Sequence, residues 1–293
     1  MSKIDTNKCL ADDYIEYKYK YHFFEKLDTI NIDNCEKIYS STGLPDPDSF
    51  SEILYDFFAE LWNLSKPPFN VKKIWNGNAW KLVGTGNYNL RLGTDSIMSI
   101  YWHRIDMRKF ISELIKSKNN DFRIFIREYL QKANTLGGFV LFPRRRIQSI
   151  NQRRGTNSLI GDRFDLTLEC IKRYYEEIKK SEKDINYNPL FGGLNTDYIK
   201  EDKAFFDLFG KGKTGFEKYA EFFCLNKSYG QKQNWVKDGQ VLNLLNNQPL
   251  DDYDFGNRNN VLLTENNWWT FYRNIINRLD ARNEQIKEVI EGK

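Results

Sequence analysis

Histidine and cysteine are scarce in this chain of 293 residues, and their scarcity excludes several kinds of site. The two histidines, His22 and His103, are too few to build a histidine-rich metal centre. The four cysteines stand far apart without a CxxC pair. This spacing excludes a disulfide framework and a zinc cassette, and it is typical of a protein from a reducing cytosol.

Long apolar runs and standard ligand-binding motifs are also missing. No window approaches the ~20 apolar residues that a membrane-spanning helix needs, and the N-terminus has no apolar core of signal-peptide length. We therefore predict a cytoplasmic protein without membrane contact. The chain contains no GxGxxG, GxxxxGK[ST] or GxSxG motif, so the sequence identifies no cofactor and no serine hydrolase elbow.

The composition predicts a folded globule that has little overall charge. Hydrophobic residues make up 40% of the chain and aromatic residues 15%, whereas disordered chains are poor in aromatics. The net charge of +4 is small for this length. Long-range attraction to nucleic acid is therefore weak, and any preference for anions must be local.

Hydrophobic periodicity predicts an α+β fold, mainly helical with a small antiparallel sheet. Residues 49–64 have helical spacing after a cap at Asp48 or Ser49, and residues 71–102 contain short β-type runs broken by Asn-Gly. A strand in "GGFVLF" follows two further helical stretches. A terminal helix begins after the cap Thr264. We predict one domain over residues 1–293, with a possible subdivision near residue 136 or 185.

The helix that follows the arginine-rich segment has the clearest pattern in the chain. A single apolar stripe repeats at helical spacing, and its members are Ile160, Phe164, Leu168, Ile171, Tyr175 and Ile178. We expect this long helix to begin near Asn157 or Ser158, either of which is a suitable cap.

The segment before this helix is unusually rich in arginine. Five arginines lie between residues 144 and 154, and there is no Asp or Glu from Tyr129 to Gly161. Like charges a few ångströms apart repel by roughly 1 kcal/mol per pair even in water. The arginines therefore either meet acids from elsewhere in the fold or converge on an external anion.

Arginine is suited to the second role because its planar fork holds a phosphate or carboxylate with two hydrogen bonds. Gly155 permits a tight turn, and helix N-termini bind anions readily. The predicted ligand-binding residues are Arg144, Asn151, Gln152, Arg154 and Arg163. The structural alternative is that the arginines pair with acids such as Asp162 and Asp165 and hold the loop in place.

Acidic residues on the predicted helix are candidates for catalysis. Asp162, Asp165 and Glu169 recur at positions i, i+3 and i+7, as expected for a general base or for ligands of a divalent metal. The alternative is structural, because acids in a first turn stabilise the helix dipole and Glu169 precedes Arg173 by four residues. No further metal ligands are identified, so we name no metal. The predicted catalytic residues are Asp165, Glu169 and His103, although His103 beside Trp102 also fits a packed histidine.

Several stretches resemble a family of bacterial cytoplasmic proteins known only as a domain of unknown function. They are "DPDSFSEILYDFFAELW", "TDSI", "GGFVLFPRRR", "SINQRRG", "DRFDLTLECIKRYY" and "FFDLFGKGKTGFEKYAEFF". The resemblance covers residues 44–225 and is most specific from Ser149 to Tyr175. It implies no reaction. Its pattern contains Asn151, Gln152, Arg154, Gly155, Asp162, Arg163, Asp165, Thr167 and Glu169. As a site it favours Asn151, Gln152, Arg154 and the acids from Asp162 to Glu169.

Two hypotheses remain open from the sequence. In the first, the protein binds a phosphate-bearing ligand, a nucleotide or RNA, around Arg154 and acts on it, in a setting such as phage defence or as a toxin. In the second, it is a non-enzymatic module that docks a protein partner through the basic loop and the aromatic C-terminal helix. Salt dependence distinguishes them, because an extended phosphate interface weakens steeply with salt.

Overall fold

The computed structural model describes most of the chain beyond residue 50. The described residues are 6–7, 48, 51–64, 69–77, 79–85, 90–97, 108–117, 119–144, 150–176, 188–191, 196–257 and 263–292. The predicted catalytic residue His103 lies outside them, as does Ile178 of the predicted apolar stripe.

The fold is α+β and mainly helical, with a small antiparallel sheet, as the sequence predicted. The helices are α1 (Glu52–Leu64), α2 (Arg108–Lys116), α3 (Asn120–Ala133), α4 (Ile150–Thr156), α5 (Phe164–Tyr175), α6 (Thr196–Asp207), α7 (Gly212–Phe222) and α8 (Glu265–Glu291). The strands are β1 (Val71–Trp75), β2 (Trp80–Gly84), β3 (Arg91–Ser96), β4 (Phe139–Pro143), β5 (Val236–Lys237) and β6 (Gln240–Val241).

The main sheet has the order β1-β2-β3-β4, with every neighbouring pair antiparallel. The hairpin between β1 and β2 closes through a four-residue loop, in which Gly77 has a φ of 93° and the side chain of Asn76 accepts the backbone N–H of Ala79 at 2.8 Å. Strand β4 comes from far along the chain and pairs with β3, so that Asp95 faces Val140 across the ladder. The predicted sheet is thus confirmed over residues 71–96, and residues 98–102 lie outside the described part.

Helix α1 packs on the first two strands of this sheet. Its buried residues Leu54, Phe57 and Leu61 recur at the helical spacing predicted for residues 49–64. The predicted cap was wrong, because Ser51 directly precedes the helix and its hydroxyl accepts the backbone N–H of Leu54 at 3.3 Å. A serine at this position satisfies one of the donors that the first helical turn leaves free.

The arginine-rich segment differs most from its prediction. Residues Ile150–Thr156 form a helix of their own, α4, and a turn over residues 158–162 separates it from α5. Asn157 does not cap α5; its side chain accepts the backbone N–H of Leu159 at 2.9 Å and so stabilises the turn. The second helix therefore begins at Phe164, and Asp162 lies in the turn before it with a φ of 61°.

Helix α8 forms part of the core. Thr264 is its N-cap as predicted, and the backbone N–H of Thr264 donates to the side chain of Asn267 at 2.7 Å. Trp268 is fully buried and contacts Phe122 and Phe125 of α3. This face of the helix, which the protein-interaction hypothesis assigned to a partner, is therefore covered by the protein itself. Within the described ranges, no helix has both the length and the apolar character to cross a membrane.

Candidate functional site

Arg154 is the most constrained of the predicted ligand-binding residues. Only 1% of its surface is exposed. Its Nε donates to the Thr167 hydroxyl at 3.1 Å, and its Nη1 donates to the carboxylate of Asp95 and to the carbonyl of Ser96. The guanidinium also lies over the ring of Phe164, at 5.6 Å from the centroid. These contacts fix its position between α4, α5 and β3.

Arg144 approaches the same region from the end of β4. Its backbone N–H donates to the carbonyl of Arg91 at 2.8 Å, and its half-buried side chain lies across Gly93. A Cβ at position 93 would come within 2.5 Å of its Cδ, so the glycine makes room for the arginine. The charges of both Arg144 and Arg154 favour the ionised form of Asp95. We call Arg144 and Arg154 the guanidinium pair.

Two nitrogens of the guanidinium pair are buried and make no hydrogen bond: Nη1 of Arg144 and Nη2 of Arg154. A carboxylate oxygen of Asp162 is 3.5 Å from Nη2 of Arg154, without the geometry of a hydrogen bond. Buried polar atoms in proteins almost always have partners, so donors without one call for an explanation such as a ligand or an ordered water.

Two carboxylates, Asp95 and Asp162, lie on either side of Arg154. Burial raises the pKa of Asp95 against the opposing effect of Arg154. Burial also raises the pKa of Asp162 to about 6, and the charge of Asp95 contributes to this increase. The Asp162 side chain is nevertheless 41% exposed, so its carboxyl has one side toward solvent. At neutral pH this carboxyl can exchange protons while it stays beside Arg154.

Several arginines meet acids inside the fold. Four of them each contact a carboxylate of the same chain: Arg153 with Asp202, Arg154 with Asp95, Arg163 with Asp165, and Arg173 with Glu169. Arg153 and Arg154 belong to the acid-free stretch of sequence, and their partners lie far from it in the chain. Pairing of this kind is the structural alternative that the sequence had left open.

Arg163 and Asp165 belong to a second cluster, on the other side of Thr167. Arg163 donates through Nε and Nη2 to the carboxylate of Asp165, and through Nη2 to the side chain of Asn243 at 3.0 Å. Asp165 also accepts the backbone N–H of Leu244 at 2.9 Å. Both side chains are fully buried. The contacts fasten α5 to residues 240–256, which we call the strap.

Glu169 and Arg173 hold the other end of the strap. Arg173 donates through Nε to Glu169 at 2.6 Å, and through Nη2 to the carbonyls of Leu250, Asp251 and Tyr253. Burial raises the pKa of Glu169 to about 7, against the opposing charges of Lys172 and Arg173. The polar side of α5 is therefore an internal interface with the strap.

No cluster of three or more His, Cys, Asp or Glu side chains suited to a metal ion occurs among the described residues. The acids on which the metal interpretation rested are separated by the structure. Asp162 faces Arg154, whereas Asp165 and Glu169 face the strap.

Comparison with known proteins identifies a family but no described activity. The chain matches a family of unknown function (DUF6994) over residues 30–286. The chain belongs to this family. No curated protein and no solved structure matches it.

The predicted site residues of this DUF6994 chain thus divide into two groups. Arg144 and Arg154 come together around Asp95, whereas Arg163, Asp165 and Glu169 bind the strap. Gln152 is exposed on α4. The side chain of Asn151 lies outside the described part of the structure, as does His103.

Sequence reasoning gave Asp95 only a minor place and did not consider the strap residues Asn243 and Asp251. Asp95 stands in "TDSI", a stretch that carries the family resemblance, and a carboxylate within a short strand is an unusual feature that could have indicated it. The strap residues gave no comparable signal. They are about eighty positions away in sequence from the residues that they contact at α5, and the sequence around them is polar and rich in turns.

Proposed function

We propose that the protein binds a phosphate-bearing ligand, a nucleotide or RNA, at the guanidinium pair. The observation that carries the proposal is the presence of two buried donors without hydrogen bonds, on two arginines that both act on Asp95. Arg144 comes from the end of β4 and Arg154 from α4, ten positions later, and the charges of both act on Asp95. Guanidinium groups in such an arrangement are well suited to phosphate oxygens.

The balance of buried charge supports an anionic ligand. Among the described residues, the buried cations outnumber the buried acids. The cations are Arg153, Arg154, Arg163, Lys172, Arg173, Arg278 and Arg282, and the acids are Asp165, Glu169 and Asp202. Asp95, Asp162 and Asp251 add carboxylates that are 18%, 41% and 34% exposed. The pKa values of Glu169 and Asp162 are raised to about 7 and about 6, so neither carries a full charge throughout the neutral range. Buried charge needs compensation, and an anion near Arg154 would supply it.

Asp162 provides the opening for such a ligand. Its carboxylate is beside the free Nη2 of Arg154 but too far away for a good hydrogen bond, and 41% of its side chain is exposed. A phosphate oxygen that displaced or shared this position would satisfy the donor at low cost. In this proposal, a phosphate oxygen binds Nη2 of Arg154 next to the Asp162 carboxylate.

The proposal is limited to binding. Asp165 accepts hydrogen bonds from Arg163 and from the Leu244 backbone, and Glu169 pairs with Arg173, so the contacts of both acids stabilise the strap. A reaction on the ligand and a role in phage defence or as a toxin remain predictions. The protein-interaction hypothesis is not taken further, because Trp268 and its neighbours on α8 pack inside the protein.

The test is the substitution Arg144→Gln, which removes one of the two donors without taking the partner of Asp95 away. Isothermal titration with adenosine 5′-monophosphate and with oligoadenylate should show binding to the wild type. A hydrogen bond to a charged group contributes about 1.5–3 kcal/mol, so we expect binding to the variant to be about 10- to 100-fold weaker. The melting temperature should stay close to that of the wild type.

Two further variants make this test specific. Arg273→Gln removes an exposed arginine of α8 and should leave affinity unchanged. Gly93→Ala keeps both charges but pushes the Arg144 side chain aside, and it should weaken binding as Arg144→Gln does. Unchanged affinity in Arg144→Gln, or no binding of either probe to the wild type, would contradict the proposed function.

A further inference from the structure

Hydrogen bonds fix the side chain of Arg154 inside the fold, so a ligand has to approach the arginine in its buried position. Its Nε and Nη1 already donate to Thr167, Asp95 and Ser96, and only Nη2 is left. With 1% of its surface exposed, the side chain cannot reach out to a strand of nucleic acid lying on the surface. The group that it binds must therefore be small enough to enter between α4 and β3.

The described segment that carries Arg154 offers little exposed charge to a longer phosphate backbone. Within residues 150–162 the cations are Arg153 and Arg154, and both are buried. The exposed positions of the same segment are uncharged: Gln152, Gly155, Thr156 and Ser158. A polynucleotide backbone is normally held by a row of exposed Lys and Arg side chains, and this segment does not provide one.

A terminal phosphate fits these constraints better than a diester. It has three free oxygens and a single link to the rest of the ligand, so it can enter with its oxygens first and leave the remainder outside. A diester has a link on each side, and both chains would have to lead away from two buried donors. Nη1 of Arg144 and Nη2 of Arg154 would each donate to an oxygen of the terminal group.

We propose that the site takes the terminal phosphate of a phosphomonoester, such as a 5′-mononucleotide, and not the diester backbone of a polynucleotide. This inference rests on the proposed function and specifies its ligand. A phosphomonoester exchanges its second proton near pH 6, a property that a diester lacks. The proton can therefore be shared with the neighbouring carboxyl of Asp162.

Asp162 makes the binding of such a group depend on pH. Among the described residues, Arg154 of α4 and Asp95 of β3 act on its carboxyl through their charges, and burial raises its pKa to about 6. Below this pH the neutral carboxyl can donate a hydrogen bond to a phosphate oxygen. Above it, the carboxylate repels the dianion that the phosphate has become. Removal of this charge should therefore strengthen binding mainly at alkaline pH.

The test of the ligand class compares probes that differ only in a terminal phosphate. Titration of the full chain with adenosine 5′-monophosphate and with 5′-phosphorylated oligoadenylate of about ten nucleotides should give similar affinities, since one phosphate of each enters the site. Adenosine and the same oligomer with a 5′-hydroxyl should bind at least about tenfold more weakly. Log affinity should fall gently with log salt, and its slope should not depend on oligomer length.

The possible failures of this test can be told apart. A 5′-hydroxyl oligomer that binds as tightly as the phosphorylated one, with a salt slope that grows with length, would overturn the terminal-phosphate inference. If Arg144→Gln still weakened that binding, the guanidinium pair would remain the site and the proposed function would stand. If no probe bound, or if Arg144→Gln bound every probe like the wild type, the proposed function itself would fail.

Asp162→Asn supplies an independent measurement of the same inference. At about pH 8 the variant should bind the monophosphate at least about tenfold more tightly than the wild type, and at about pH 5 the two should agree. The control Asp121→Asn changes an exposed acid of α3, and its affinity for the monophosphate should match that of the wild type at both pH values. A ratio of variant to wild-type affinity that does not change with pH would overturn the role assigned to Asp162.

Discussion

Asp162 is directed at Arg154 by a backbone conformation that few residue types adopt readily. Its φ of 61° follows a φ of 56° at Gly161, and aspartate and asparagine are several-fold enriched among non-glycine residues in this region. The backbone N–H of Asp162 donates to the carbonyl of Arg154 at 3.2 Å, which folds the turn back over the end of α4. The turn thereby places a carboxyl beside an arginine only eight positions earlier in the chain.

Replacing this carboxyl by an amide should change how stability depends on pH. The pKa of Asp162 is raised from 3.8 to about 6 in the folded protein. Between these values the folded state holds a proton that the unfolded state has lost, so this residue's contribution to stability declines as pH rises through about 6. In Asp162→Asn the residue does not titrate, so its contribution to stability does not decline with pH. Its melting temperature relative to the wild type should therefore rise from about pH 4.5 to about pH 7.5.

Solvent screening keeps this effect small, because 41% of the side chain is exposed. Asparagine also adopts a positive φ, so the turn should persist in the variant. Thermal melts followed by circular dichroism over this pH range measure the difference in melting temperature between the variant and the wild type. The contribution of Glu169 cancels in this difference because both proteins contain Glu169. A melting-temperature difference that stays constant with pH would show that the carboxyl is not held in the surroundings described here.

At the residue scale the sequence singled out charged side chains but not their partners. Arg154, Arg163 and Asp165 were predicted as site residues and Asp162 was considered beside them, and all four take part in polar clusters. What the sequence could not provide is the route of the chain. Asp95 lies 59 positions before Arg154 and meets it only because β4 returns beside β3. A local absence of acids is therefore no guide to charge balance in the folded protein.

Helix α5 and the strap meet in a buried polar interface. Arg173 donates to three strap carbonyls and lies over the ring of Phe255, at 4.8 Å from the centroid. Lys172 pairs with Asp251 at the same end. An irregular segment leaves carbonyls that no regular backbone ladder satisfies, and these side chains supply donors to them. Helix α5 thus contributes to the attachment of the strap, together with contacts from α8 such as that between Asn274 and the Leu244 carbonyl.

Arg173→Met should detach this end of the strap. The change leaves Glu169 buried without its partner and removes the donor to three carbonyls, and breaking a buried pair typically costs about 3–5 kcal/mol. We expect urea denaturation to show a loss of this size. We also expect faster hydrogen exchange at the amides of Leu250 and Tyr253, whereas the Leu225 amide should be less affected.

The double variant Glu169→Gln/Arg173→Met separates the buried charge from the lost hydrogen bonds. It should be less destabilised than Arg173→Met, because no unpaired carboxylate remains. Lys203→Met, which breaks an exposed pair with Asp207 on α6, should cost no more than about 1 kcal/mol. A loss in Arg173→Met as small as in Lys203→Met would contradict the proposed role of α5.

Periodicity predicted the elements better than their ends. The apolar spacing of α1 and α5 and the cap of α8 were recognised, because packing and capping are local in sequence. Helix α4 was missed because its seven residues, "INQRRGT", show no apolar repeat and contain a glycine. The turn at residues 158–162 was hidden for a related reason, since Ile160 continues the apolar spacing of α5 although it lies outside that helix.

Across the whole molecule, α8 connects parts of the chain that a domain boundary would separate. Arg282 is fully buried and donates to the carbonyls of Gly137 and Phe139 at the start of β4, and to the carbonyl of Phe223 at the end of α7. Asn283 accepts the backbone N–H of Gly137 at 2.8 Å. A single cluster of buried apolar residues extends from Leu54 to Ile286. We therefore propose one domain, without a division near residue 136 or 185.

One domain should unfold in one step, and Arg282→Met should weaken all of it together. Burial lowers the pKa of Arg282 to about 10. Loss of this arginine would leave three carbonyls, on the two sides of residue 185, without a donor. Urea transitions followed by tryptophan fluorescence and by circular dichroism should coincide in the wild type. In Arg282→Met the midpoints of both transitions should move to lower urea by the same amount. Hydrogen exchange at the amides of Val140 and Leu225 should accelerate equally.

The control is Lys287→Met, which changes an exposed residue nearby on α8 and should leave both transitions in place. Two separate transitions, or faster exchange on one side of residue 185 alone, would instead show two independently stable halves.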